Sequence, residues 1–282
     1  MRHIFKGLLA LSLTAMLNAC TSGGDPSPQT LRLIFFAETD TQRVACSDLS
    51  NLGSENVNAS VRDLRFYIHD IVLRNVAGER FSFTPFTNDY QSSRVAMVDF
   101  TNLDAECQGV AKEDHNEILG SVLSHEGVVY TSIEFRIGVP SSLNHNDPAS
   151  AAAPLDDTSM HIDRTQGYKF LRLKLDPENS SEWLFELSST GCTGDPSIGE
   201  SVSCERSNRP RIRLSDLDIE RDNIVLNIQD LLAQIDIDND ANRGCDSSED
   251  DPECVNLLRN LGLNETTGNP FNDNTQTVFS AD

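Results

Sequence analysis

Between residues 130 and 139 the chain alternates strictly, with Ile133, Phe135 and Ile137 on one side and Ser132, Glu134 and Arg136 on the other. Successive side chains of an extended strand point to opposite faces, so this period of two specifies a strand with one face buried and one in water. The same pattern recurs along the chain. Residues 31–36 open the series, and residues 63–73 set Leu64, Phe66 and Ile68 against Arg65, Tyr67 and His69. The apolar phase then shifts to Ile71 and Leu73, which predicts a bulge near His69 and Asp70. A turn at 75–78 leads into 80–86, and further short strands are expected at 95–100, 168–175, 183–187, 212–214 and 224–228. Helical patterning is confined to 115–123 and to a turn or two within 228–235. Short strands separated by turn signals predict an all-β fold, an antiparallel β-sandwich with long disulfide-stapled loops. Its single domain is expected over residues 31–263. Residues 264–282, rich in Asn and Thr, read as a loosely packed tail with Val278 and Phe279 pairing at an edge.

The first residues read as an export signal. Arg2 and Lys6 precede an apolar run at 7–17 that is too short to span a bilayer. Leu17-Asn18-Ala19-Cys20 then forms a lipobox, so residues 1–19 are expected to be removed and Cys20 lipidated. Residues 20–30, polar and rich in Gly, Pro and Ser, read as a flexible tether. Thr21 is not the Asp that retains a lipoprotein in the inner membrane. The expected location is therefore periplasm-facing or on the outer-membrane surface, with the lipid as the membrane contact.

Cleavage leaves 263 of the 282 residues, enough for one large or two small cores. Loss of Arg2 and Lys6 takes the formal charge from −22 to −24, which repels phosphate backbones and disfavours nucleic-acid partners. Of seven cysteines, six remain after Cys20, an even number suited to an oxidising compartment. None has the C-x-x-C spacing of a zinc site, so all six read as structural, with their connectivity open. No G-x-S-x-G elbow, H-E-x-x-H, P-loop or dinucleotide fingerprint is present, and the chain is not expected to be an enzyme.

Four segments carry a composite signature: G-V-P-S-S-L-N-H-N-D-P at 138–148, P-L-D-D-T-S-M at 154–160, G-Y-K-F-L-R-L at 167–173 and W-L-F-E-L-S-S-T-G-C at 183–192, with Cys204 and Asn208-Arg209-Pro210 following. In order and spacing this resembles the MbnP-like family, the metallo-mystery pair proteins with a four-Cys motif. The resemblance implies copper binding outside the inner membrane, a MauG-like di-haem partner able to oxidise a tryptophan, and the pairings Cys46–Cys107, Cys192–Cys204 and Cys245–Cys254. The chain departs from that pattern in two places. Residues 161–166 read His-Ile-Asp-Arg-Thr-Gln, where the family carries the modified tryptophan, and Glu186 stands where it carries a histidine.

The copper candidates are His145, His161, Met160, Glu186 and His69. His145 lies in the shared N-H-x-D-P motif, where His145 and Asp147 are also suited to capping a tight turn before Pro148. His161 with Met160 offers a soft ligand pair, Glu186 a harder oxygen, and His69 a ring on the polar face of its strand. A second constellation, Asp236, Asp238, Asp240 and Asp246, sets oxygens at alternating positions as calcium requires. The alternative reading is thus a calcium-stabilised surface interaction module without copper.

Overall fold

A computed structural model describes residues 25–282 apart from Asp240, Asn242, Glu249 and Asn274. The leader, the lipobox and Cys20 lie outside the described residues. The spine of the molecule is the 19-residue strand Val57–Asn75. It pairs antiparallel with Asp48–Leu52, Arg80–Ser82, Ala96–Asp99, Tyr130–Ile137 and Leu171–Pro177 along its length. With Arg211–Ser215, Trp183–Leu187 and Gly244–Cys245 these form a nine-stranded sheet. The facing five-stranded sheet runs in the order Phe279–Ala281, Ile224–Asn227, Ser27–Glu38, Glu117–Ser124 and Thr84–Pro85. Two pairings are parallel, Ser27–Glu38 with Ile224–Asn227 and Trp183–Leu187 with Gly244–Cys245. The others join antiparallel neighbours, and the two layers make the expected all-β sandwich.

Aromatic rings from both layers meet edge-on in the core. Phe66 and Phe135 of the large sheet contact Phe35 and Phe279 of the small one at centroid separations of 5.7–6.0 Å. Such T-shaped contacts set the positive ring edge on the negative ring face, adding to the gain from burial. The expected bulge is present: the register with Tyr130–Ile137 shifts between His69 and Val72, and Asp70 takes φ 53°. Asp is one of the few side chains that adopts this left-handed conformation readily.

The structure corrects several expectations. Residues 115–123 do not form a helix; Glu117–Ser124 is a strand whose Ile118 lies opposite Leu33 and whose Gly120 lies opposite Leu31. Ile118, Leu119, Val122 and Leu123 imitate a helical stripe, but Leu119 and Leu123 are solvent-exposed. Gly120 fits because a Cβ there would meet the Thr84 carbonyl oxygen at 2.5 Å. Tyr67 and His69 do not face water. Both are buried: the loops between 138 and 170 cover Tyr67, whose hydroxyl donates to the Pro154 carbonyl at 3.0 Å, and His69 sits at the bulge. The first strand begins at Ser27, within the segment read as tether. The edge pairing expected of the tail is present: Phe279–Ala281 pairs with Ile224–Asn227, and Phe279 is buried. A helix at Cys254–Asn260 went unpredicted, its signal hidden in a segment otherwise read only for acids and cysteines.

The three disulfides join Cys46 to Cys107, Cys192 to Cys204 and Cys245 to Cys254, the pairings that the resemblance implied. Thiol titration of the unfolded, non-reduced protein is expected to find none of these six free; reactive thiols there contradict the pairing. Phe279→Ala is expected to cost about 3–5 kcal/mol in denaturant unfolding. A loss under about 1 kcal/mol, within the usual range for surface positions, means that the tail does not close the core.

Candidate metal site

The strand Trp183–Leu187 turns Trp183, Phe185 and Leu187 into the core, so Glu186 rises on its other face. There it borders a cleft of about 660 Å³ lined also by His161, Lys169, Glu205, Arg206 and Asp246. Glu186 is not free to bind a cation. Its Oε1 receives Arg172 Nε at 3.0 Å and Lys169 Nζ at 2.9 Å, so two cations already neutralise it. Arg172 lies opposite Glu186 in the strand register and also reaches Asp63 and Glu106. Asp63 is buried at 2% exposure and is gripped from the other side by Arg65, which continues to Asp157 at 2.8 Å. A continuous ion network therefore runs from Asp157 through Arg65, Asp63 and Arg172 to Glu186 and Lys169 at the cleft.

Two candidate histidines flank the hairpin that carries residues 161–168. His161 sits on its first strand, its ring edge-on to Tyr168 at 4.9 Å, and its Nε2 is buried with no hydrogen-bond partner. His145 lies in the neighbouring loop, with Nε2 3.9 Å from Cys204 Sγ and 3.4 Å from Asn144 Nδ2. Its Nδ1 is likewise buried without a hydrogen-bond partner, although the Arg164 and Thr165 backbone lies close enough to favour the protonated ring. Burial outweighs these influences and lowers the pKa of both rings, leaving each neutral near pH 7.

Asn144 holds that arrangement together and was missed in the sequence. Fully buried, it donates from Nδ2 to the Gln166 carbonyl at 3.3 Å and accepts the Tyr168 N–H at 3.2 Å. The hairpin approaches so closely that a Cβ on Gly167, at φ 88°, would lie 2.3 Å from Asn144 Nδ2. The paired occurrence of N-H-N and G-Y-K-F in the sequence is the trace of this clamp. Turn capping falls to Asp147, whose Oδ1 accepts the Ala149 N–H at 3.0 Å, and not to His145.

The remaining candidates lie apart or are otherwise engaged. Met160 is wholly buried in the core, and its carbonyl accepts the Lys169 N–H at 2.8 Å. His69 lines a different cleft, beside the bulge. Asp236 accepts the Asp238 N–H at 3.1 Å, Asp246 accepts the Ser248 N–H at 2.9 Å, and Asp240 lies outside the described residues. Among the described residues, three such ligand atoms converge within 4.8 Å only at Cys245, Asp251 and Cys254. Both sulfurs there belong to one disulfide, so they offer no thiolate to a metal.

These features define a class: a disulfide-stapled β-sandwich carrying two neutral imidazoles around a clamped hairpin. The MbnP family model matches residues 28–248, and the chain belongs to the MbnP family. The solved structure of MbnP from Methylosinus trichosporium superimposes with a TM-score of 0.79 at 25% identity, covering 90% of this chain and 98% of that one. No curated protein matches the sequence.

The ion network makes its own prediction. Arg172→Ala strips a guanidinium from the buried Asp63 and is expected to cost about 3–5 kcal/mol of stability. Glu186→Gln, at the solvent end, is expected to cost about 1 kcal/mol or less. Equal, small losses in thermal unfolding contradict the ranking.

Proposed function

We propose that this protein is an exported, lipid-anchored metal-binding member of the MbnP family that holds copper through His145 and His161. The observation that carries this reading is that each of the two rings keeps a buried nitrogen without a protein hydrogen bond. A buried polar atom left unpaired is costly, and a neutral imidazole is the ligating form that suits copper. Glu186 is excluded from the ligand set by its two cations. A ring-modified tryptophan is excluded too, since residues 161–166 contain none and Trp183 is a core side chain.

The proposed location is the periplasm-facing or outer surface of the outer membrane, anchored through Cys20. Only residues 21–26 separate that cysteine from the first strand, about 20 Å at full extension, so the body stays near the bilayer. A MauG-like di-haem protein is the proposed partner, on family resemblance. With no tryptophan in the hairpin to oxidise, its dealings with this chain concern the bound metal.

Copper analysis of the mature protein after periplasmic expression with copper supplied tests the assignment. About one copper per chain is expected, falling to background in His145→Ala and in His161→Ala. Stoichiometry unchanged by both substitutions sinks it. A second reading, a calcium-stabilised interaction module, draws on Asp238 Oδ1, which is buried without a hydrogen-bond partner beside Asp236. Uptake of calcium with no copper in the same analysis selects that reading.

A further inference from the structure

A second cleft, of about 480 Å³, opens at the bulge of the Val57–Asn75 strand, and nothing in the copper reading uses it. His69, 4% exposed, lines it, and neither ring nitrogen has a hydrogen-bond partner. Its Nδ1 lies 3.2 Å from Asp70 Oδ2, but the orientation does not make a hydrogen bond. The left-handed Asp70 is what re-aims the strand at this point, as bulges beside functional sites commonly do.

Three arginines reach the same cleft from three different segments. Arg80 comes from the Arg80–Ser82 strand, Arg136 from Tyr130–Ile137, and Arg94 from the loop before Ala96–Asp99. Arg94 donates to Ser142 Oγ at 2.7 Å and forms no ion pair among the described residues. Arg136 is 3.8 Å from Asp70 Oδ2, too far for a hydrogen bond. Glu134, the other carboxylate of the cleft, is engaged by Arg213 at 2.7 Å and faces Arg74 at 3.8 Å. Behind the cleft lies Arg209, buried, bonded to the carbonyls of Val139 and Ser207, and paired with no carboxylate among the described residues. Burial lowers the His69 pKa to about 4, outweighing the nearby Asp70 carboxylate, and the charges of Arg209 and Arg136 act in the same direction as burial.

In a chain of formal charge −22, cations gathered around a concave site repel a metal ion and attract an anion. Arginine forks match the paired oxygens of carboxylate and phosphate, and Ser82 adds a hydroxyl donor to the cleft wall. We propose that this cleft binds a small oxyanion, the carboxylate or phosphate of a soluble metabolite, between Arg80, Arg94 and Arg136 with His69 at its floor. Neither His145 nor His161 lines this cleft.

Calorimetric titration of the mature protein at near-physiological ionic strength, with inorganic phosphate and separately with succinate, tests this. Saturable binding of at least one is expected. Arg94→Gln and Arg136→Gln should each weaken it by about tenfold or more, with thermal unfolding unchanged. Because Arg94 is exposed and Arg136 half-exposed, these variants test the site without requiring the buried His69 to be replaced. Phosphate binding alone assigns a phosphoryl ligand, and succinate binding alone assigns a carboxylate. No saturable heat with either probe overturns the proposal, as does binding that survives in the Arg94→Gln/Arg136→Gln double variant.

Discussion

The buried carboxylate of Asp63 is the constraint around which the functional half of this sandwich is arranged. An ion taken out of water is expensive unless its charge is met at close range, and Asp63 is met from two sides, by Arg65 and Arg172. Arg65 and Arg172 face each other in the register between Val57–Asn75 and Leu171–Pro177, so the ion cluster and the strand pairing enforce one another. A slip of Leu171–Pro177 by one residue would turn Arg172 to the other face and leave Asp63 with Arg65 alone. From this hub the network reaches Asp157 beside the short helical turn Thr158–Met160, and Glu186 and Lys169 at the cleft. Glu106, beside the Cys46–Cys107 disulfide, is drawn into the same cluster through Arg172 and Lys174.

That network also explains what became of the position where the family carries a histidine. A glutamate there, facing Arg172 across the pair, completes an ion pair instead of presenting a ligand. The two imidazoles that remain are supported differently. His161 rests on Tyr168, His145 on the Cys192–Cys204 disulfide, and Asn144 locks the two segments together. The disulfide and the buried amide thus provide the rigidity that a metal site needs in its supporting residues.

Much of the fold was legible because strand patterning is local. The alternation at 130–139 and the phase shift at His69 follow from side-chain period alone, and both appear in the structure. Reading failed where a distant partner decides the outcome. The stripe at 115–123 is periodic enough for a helix, but pairing with Ser27–Glu38 makes it a strand. Tyr67 looks solvent-facing until the loops from 138 to 170 cover it, and Phe279 looks peripheral until it meets Phe66 and Phe135. At the site, the sequence motifs named His145 and His161, but not Asn144, whose role depends on contacts with residues more than twenty positions away. Nor did they show that Glu186 is charge-paired or that Arg80, Arg94 and Arg136 converge, since neither leaves a local spacing to read.

Anomalous diffraction tests most directly the proposal that His145 and His161 hold a metal at the hairpin. Crystals of the copper-loaded mature protein, measured on either side of the copper absorption edge, should show one strong anomalous peak within bonding reach of both imidazoles, about 2.0–2.1 Å from nitrogen as for similar metals. A peak at the acidic 236–251 segment or elsewhere, or none at all in a protein that was offered copper, contradicts it.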